Sequence, residues 1–184
     1  MKKFSKCRPA LSEDDKKLIG YLTKKKRVLG KAKTNVYFNK SSNGAVKYFN
    51  GKFYSAKNKT TFTYRSSYEL KFFLDLEANS NVDSYVSEAL YVPYTDSTGV
   101  NKTYIPDLLV LYKDGRMEIL EIKPKAMLKD IDVQKKAIAC QVYMRKHYTN
   151  TNIRYRFITE KDLFKNTKEY SDFLKENKNK DFSK

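Results

Sequence analysis

Three charged residues stand where a half-buried sheet would ordinarily carry leucine or valine. In the stretch YIPDLLVLYKDGRMEILEIKPK, residues 104–125, Asp107 follows a proline, and Glu121 and Lys123 are separated by one residue. Between the two apolar runs lies Lys113-Asp114-Gly115. This reads as a three-residue hairpin loop whose last position is left-handed, a conformation glycine takes without strain. Counting outward from that loop, Tyr112 faces Arg116 and Asp107 faces Glu121. Facing Cβ atoms of an antiparallel pair lie about 4.5–5.5 Å apart, a spacing that repels two bare carboxylates but suits joint ligation of one small divalent cation. A two-residue Asp114-Gly115 turn would instead bring Asp107 opposite Ile122. Side chains alternate along a strand, so Lys123 projects on the Glu121 side while Leu120 and Ile122 point the other way.

Such a triad suits phosphodiester hydrolysis. Two carboxylates hold Mg²⁺, with Mn²⁺ as a substitute; the ion polarises a phosphate oxygen and acidifies a bound water, and the lysine orients that water or stabilises the charge that grows on phosphorus. A surface ion pair between the same groups would be worth little and would need no particular position. Glu69 is a fourth candidate. It stands three residues after Ser66, the spacing of a capping box, yet it shares a helix stripe with Phe72, Phe73 and Leu76 that would turn it toward the sheet. The cap and the ligand readings of Glu69 both stay open at this point. The lone histidine, His147, falls at a helix end and reads as a partner of the helix dipole.

The elements that must position these residues follow from periodicity and turn chemistry. Residues 64–80 read as a helix capped by Ser66, and residues 88–94, 102–112 and 116–123 as three strands. Residues 131–147 read as a second helix, 153–158 as a strand, and Thr159 caps a short helix that follows. A polar helix from about residue 166 and a frayed lysine-rich end complete the chain. The order is α-β-β-β-α-β, an α/β core with a mixed central sheet flanked by helices. Three segments are expected: a basic extension over 1–59, the core over 60–165, and the C-terminal helix and tail over 166–184.

Charge is unevenly spread over the 184 residues. The total is +17, and residues 1–60 hold 17 Lys and Arg against three acids, Glu13, Asp14 and Asp15. A polyanion is the implied partner, and the interleaved 15 tyrosines and 11 phenylalanines suit a surface that meets phosphates and bases. Lys24, Lys25, Lys26 and Arg27, at the end of a helix that Ser12 caps, are the leading candidates for duplex DNA contact, with Arg65 and Lys125 flanking the charged triad. Cys7 and Cys140 lack neighbours at zinc-ligand spacing and read as free thiols of a reducing compartment. No apolar run approaches a membrane span, and the N-terminus lacks the apolar core of a signal peptide.

Pro106-Asp107 and Glu121-Ile122-Lys123, with a glutamate on the preceding helix, resemble the PD-(D/E)xK nuclease superfamily and its restriction-endonuclease-like core. The blocks YRSSYELKFFLDLEANS, YIPDLLVLYKDG, EILEIKPK and RYRFITEKDL are similar to the head completion nucleases of T4-like tailed phages and, more loosely, to the catalytic domain of the transposase subunit TnsA. The resemblance implies Glu69 as the helical acid, Asp107 and Glu121 as metal ligands joined by the Ile122 carbonyl, and Lys123 as the catalytic lysine. It implies a Mg²⁺-dependent DNA endonuclease in the cytoplasm of a bacterial host or with the virion, with portal or neck proteins as partners. A transposase-type or mobile-element nuclease shares the same residues, and a non-cleaving neck protein is the reading from another class. One departure falls after Lys123, where a short PKAMLKDID replaces a longer basic insertion. There Gln134 could orient a substrate phosphate or base, or simply face solvent.

Overall fold

The structure, a computed structural model, describes residues 49–149 and 152–184. The proposed Ser12 cap, Lys24, Lys25, Lys26, Arg27 and Cys7 lie outside the described residues. A four-stranded mixed sheet in the order β3-β6-β7-β8 forms the centre, built from Val82–Ser87, Leu108–Tyr112, Met117–Ile122 and Ile153–Ile158. The pairs β3-β6 and β6-β7 are antiparallel, and β8 joins β7 in parallel. Helix α1 (Ser67–Ala78) covers one face and α2 (Ile131–His147) belongs to the other. This is a mixed α/β fold with a central sheet flanked by helices, as the element order predicts, and it is consistent with the restriction-endonuclease-like core that the resemblance implies.

Alternation decides which residue meets which layer. Leu108, Val110, Leu120 and Ile122 pack with Leu70, Phe73 and Leu76 of α1, whereas Leu109, Met117 and Ile119 pack with Cys140 and Met144 of α2. The buried positions of α2, Val133, Ala137, Cys140 and Met144, recur at helical spacing, and Asp130 caps its start by accepting from the N–H groups of Asp132 and Val133. Cys140 is a free, buried thiol, as its spacing suggests. Among the described residues no helix is long and apolar enough to cross a membrane.

The strands before the hairpin differ from the expected ones. The first sheet strand is β3, ahead of the expected 88–94 segment, and a register shift between Val82 and Ser84 hides its alternation in sequence. Glu88 then takes a left-handed backbone, φ 52°, which turns the chain out of the sheet. Among the described residues Val92–Thr95 (β4) pairs only with Asn101–Tyr104 (β5), as a separate two-stranded ribbon. The expected strand 102–112 is broken between β5 and β6 by Ile105-Pro106, because proline offers no N–H to a ladder.

The ends are tied in. Gly51–Ser55 (β1) and Thr60–Tyr64 (β2) form a hairpin whose Phe53 and Phe62 sit in the α1-side core, so residues 59 and 60 fall inside one supersecondary unit. Glu77 of α1 welds that hairpin to β3, accepting from Ser55 Oγ at 2.5 Å and from Tyr85 Oη at 2.6 Å. A short helix, α3 (Glu160–Leu163), starts in a capping box formed by Thr159 and Asp162, and α4 spans Thr167–Asn177. The tail is docked, not frayed: Tyr54 N donates to Phe182 O at 2.6 Å, and Phe173 and Phe182 pack on the core. The many lysines of this end obscure, in sequence, the two phenylalanines that hold it.

Candidate active site

The β6-β7 turn is the three-residue loop read from the sequence. Gly115 has φ 86°, its N–H donates to Tyr112 O at 3.0 Å, and Tyr112 N donates to Arg116 O at 2.9 Å. The register runs from Leu111 opposite Met117 to Leu108 opposite Leu120, and one further step brings Asp107 beside Glu121. Asp107 leaves the ladder here, and its Oδ2 instead accepts from the backbone N–H of Ile122 at 2.7 Å. Its own carbonyl accepts from Glu88 N at 3.0 Å, so the left-handed Glu88 seats the aspartate's backbone. Lys123 is anchored from the other side, where its N–H donates to Ile158 O of β8 at 2.9 Å.

The three side chains converge. Lys123 Nζ lies 2.9 Å from Glu121 Oε1 and 4.0 Å from Asp107 Oδ2. Glu121 is buried, with a side chain 6 % exposed, whereas Lys123 and Asp107 retain 27 % and 30 %. Burial and then the charge of Glu121 raise the Asp107 carboxyl well above the ordinary carboxylate range. Burial opposes the charge of Lys123, but Asp107 and Glu121 outweigh it and hold the ammonium above the ordinary lysine range.

Glu69 stands beside this group without joining it. Its Oε2 accepts from Arg65 N at 3.0 Å and its Oε1 from Ser66 Oγ at 3.1 Å, while Ser66 Oγ in turn accepts from Glu69 N at 3.1 Å. Burial raises its proton affinity, and the field of Lys123 reaches it. Arg65 reaches Glu88 at 2.8 Å, which sets a guanidinium at the residue that seats Asp107. Gln134 donates to Leu128 O at 2.5 Å, so that amide group serves the preceding turn; the Lys125 N–H donates to Glu160 Oε2 at 2.8 Å. Among the described residues no hydrogen bond or ion pair joins the side chains of Arg65, Lys125 or Gln134 to the triad. His147 stacks beside Tyr143, with ring centroids 4.4 Å apart, at the end of α2.

Sequence reasoning missed two tyrosines. Tyr104 Oη donates to Glu121 Oε2 at 2.6 Å and meets Tyr155 Oη at 3.1 Å. Burial, with the nearby Glu121 charge, pushes both phenols above their ordinary range. The only available signal was Tyr104 standing three residues before Asp107. Tyr155 enters through the parallel β7-β8 register, opposite Ile119, which no turn announces.

The donor set fits a hard divalent cation. The carboxylates of Asp107 and Glu121 are oxygen donors of the kind Mg²⁺ and Mn²⁺ take. Asp107 and Glu121 share the Lys123 ammonium, and burial together with the Glu121 charge raises the Asp107 carboxyl in spite of it. Among the described residues no three Asp, Glu, His or Cys side chains form a metal-binding group.

Residues 79–160 match the family model described as TnsA-like endonuclease N terminal. The matched segment contains Tyr104, Asp107, Glu121, Lys123 and Tyr155 and leaves Glu69 outside. The match supports the PD-(D/E)xK superfamily and a DNA endonuclease in general. A comparison with curated proteins finds no match.

Proposed function

We propose that this protein is a divalent-cation-dependent DNA endonuclease that hydrolyses phosphodiester bonds at the Asp107–Glu121–Lys123 cluster. The convergence of these groups on the α2-side face of a fixed hairpin carries the proposal. Asp107, Glu121 and the Ile122 carbonyl would hold Mg²⁺ or Mn²⁺. When bound, the ion supplies Lewis-acid polarisation of a phosphate oxygen and a more acidic water. Lys123, whose ammonium form Asp107 and Glu121 favour, would donate hydrogen bonds and stabilise negative charge at the reacting phosphate. Glu69 adds its charge at the edge of the site, where it tunes Lys123 and Asp107. Lys24, Lys25, Lys26 and Arg27 supply duplex affinity, with Arg65 and Lys125 closer to the chemistry.

The biological setting we propose is completion of a phage head, with cleavage of packaged DNA near the portal or neck. The resemblance of the sequence blocks YRSSYELKFFLDLEANS, YIPDLLVLYKDG and EILEIKPK to head completion nucleases motivates that setting. The family match to TnsA-like endonucleases favours a second setting, cleavage at the ends of a mobile element. Incubation of supercoiled and linear plasmid with Mg²⁺ or with EDTA tests the activity. Nicking or linearisation that needs the metal and vanishes in Lys123→Ala is expected; DNA binding without any cleavage would identify a non-cutting structural protein. Recovery in purified particles favours the phage setting, and co-purification with a recombinase favours the other.

A further inference from the structure

The hydroxyl of Tyr104 lies in a place where a phenylalanine would pack equally well. Tyr104 is 4 % exposed and sits in the α2-side core with Leu109, Met117 and Ile119. Its one proton goes to Glu121 Oε2 at 2.6 Å, so in the 3.1 Å contact between the two phenols Tyr155 must be the donor. The result is a directed chain from Tyr155 to Tyr104 to Glu121. Lys123 takes the other oxygen of the same carboxylate at 2.9 Å. Two contacts at two oxygens fix the plane of the Glu121 carboxylate, which a lone lysine at one oxygen would leave free to turn.

The segment that carries Tyr104 is itself pinned. Strand β5 lies in the β4-β5 ribbon, outside the central sheet. At the ribbon's tip, Ser97 N donates to Asp132 Oδ1 at 2.7 Å, and Lys135 Nζ donates to Asp96 O at 2.8 Å. Asp96 also accepts from Thr98 N and Val100 N, each at 2.9 Å, which closes the tip on itself. The ribbon therefore rests on α2 at one end and on Glu121 at the other.

We infer that Tyr104, aligned by Tyr155, is a positioning residue that sets the Glu121 carboxylate for metal binding, and that the β4-β5 ribbon exists in part to deliver it. The inference rests on the metal-site reading above. Groups that orient a ligating side chain typically change metal affinity by about 10–100-fold when removed. A purely structural hydroxyl, kept only to satisfy a buried carboxylate, would change stability and leave metal affinity alone.

Mn²⁺ binding to the full-length protein, followed by loss of the free-ion paramagnetic resonance signal, separates these roles. Tyr104→Phe keeps the ring and removes the proton. Its half-saturating Mn²⁺ concentration should rise at least about 10-fold, and plasmid cleavage at low Mn²⁺ should fall in step and recover at high Mn²⁺. Tyr155→Phe should move the same way by a smaller factor, and it decides the matter alone if Tyr104→Phe does not fold. Half-saturation within about 2-fold of wild type in both variants, or a cleavage loss that excess Mn²⁺ leaves unrescued, overturns the inference. Wild-type protein that takes up no Mn²⁺ removes the metal site itself. Wild-type uptake with unchanged variants removes only the role of the tyrosines.

Discussion

Asp107→Asn should stabilise the metal-free protein, an unusual outcome for a substitution in an active site. Burial, and then the neighbouring Glu121, raises the Asp107 carboxyl from 3.8 to about 7. A carboxyl whose folded value lies above its unfolded one binds a proton more tightly in the native state. Its contribution to stability is therefore fully present below the unfolded value and is lost as pH climbs through the folded one. At about 1.4 kcal/mol per unit, a shift from 3.8 to about 7 corresponds to a ceiling of about 4 kcal/mol. The side chain is 30 % exposed, and solvent screening reduces this to about 2 kcal/mol. For a chain of this size that is about 4–8 °C in Tm. In EDTA the wild type should lose that amount steadily between about pH 4 and about pH 7 and level off once Asp107 has ionised in the folded protein. Asp107→Asn has nothing to ionise and should melt several degrees above wild type at about pH 8 with a flattened profile. Millimolar Mg²⁺ should reverse the wild-type trend, because the cation binds the ionised pair and stabilises by mass action; the variant should lose most of that gain along with cleavage. The measurement is thermal unfolding from about pH 4 to pH 8, with EDTA and with Mg²⁺, beside a plasmid-nicking assay. Equal metal stabilisation in wild type and Asp107→Asn, or retained cleavage in the variant, would falsify the metal-site reading.

Lys123→Ala should keep the metal-induced rise in Tm, because lysine is not a ligand, while cleavage falls by about 100-fold or more; a variant that loses both would place Lys123 in metal binding instead. Glu69→Gln can accept from Arg65 N with its one amide oxygen and donate its amide N–H to Ser66 Oγ, so its Tm should stay within about 2 °C of wild type while cleavage drops about 10-fold or more. Full activity in that variant would leave Glu69 as a helix cap alone. Neutralising Lys24, Lys25, Lys26 and Arg27 together should flatten the plot of log binding constant against log salt by about 0.9 for each DNA phosphate these side chains neutralise, with cleavage at saturating DNA unchanged. An unaltered slope would show that these four cations do not touch the duplex.

Much of the site is local physics and was legible without a fold. Gly115 dictates a three-residue turn, a turn propagates its register along both strands, and that register alone brings Asp107 to Glu121 and puts Lys123 on the same side. The helices were equally readable where capping and a 3.6-residue stripe agreed, as in Ser66 with Leu70 and Phe73, or Val133 with Ala137, Cys140 and Met144. What the tertiary structure alone decided is everything that depends on contacts without a turn between them. The bulge in β3 breaks the alternation that marks a strand, and the left-handed Glu88 diverts the next segment into a ribbon, so the first strand of the central sheet lies one segment ahead of the one that alternation marks. Both Glu69 oxygens accept from its own N-terminal turn, a placement that only the folded start of the helix specifies. Tyr155 reaches the site through a parallel pairing made across an entire helix, and the docking of Phe182 spans almost the whole described chain. Local chemistry dictates turns, caps and periods because those interactions close within a few residues; a buried tyrosine on a buried glutamate is specified only when distant strands have already been brought together.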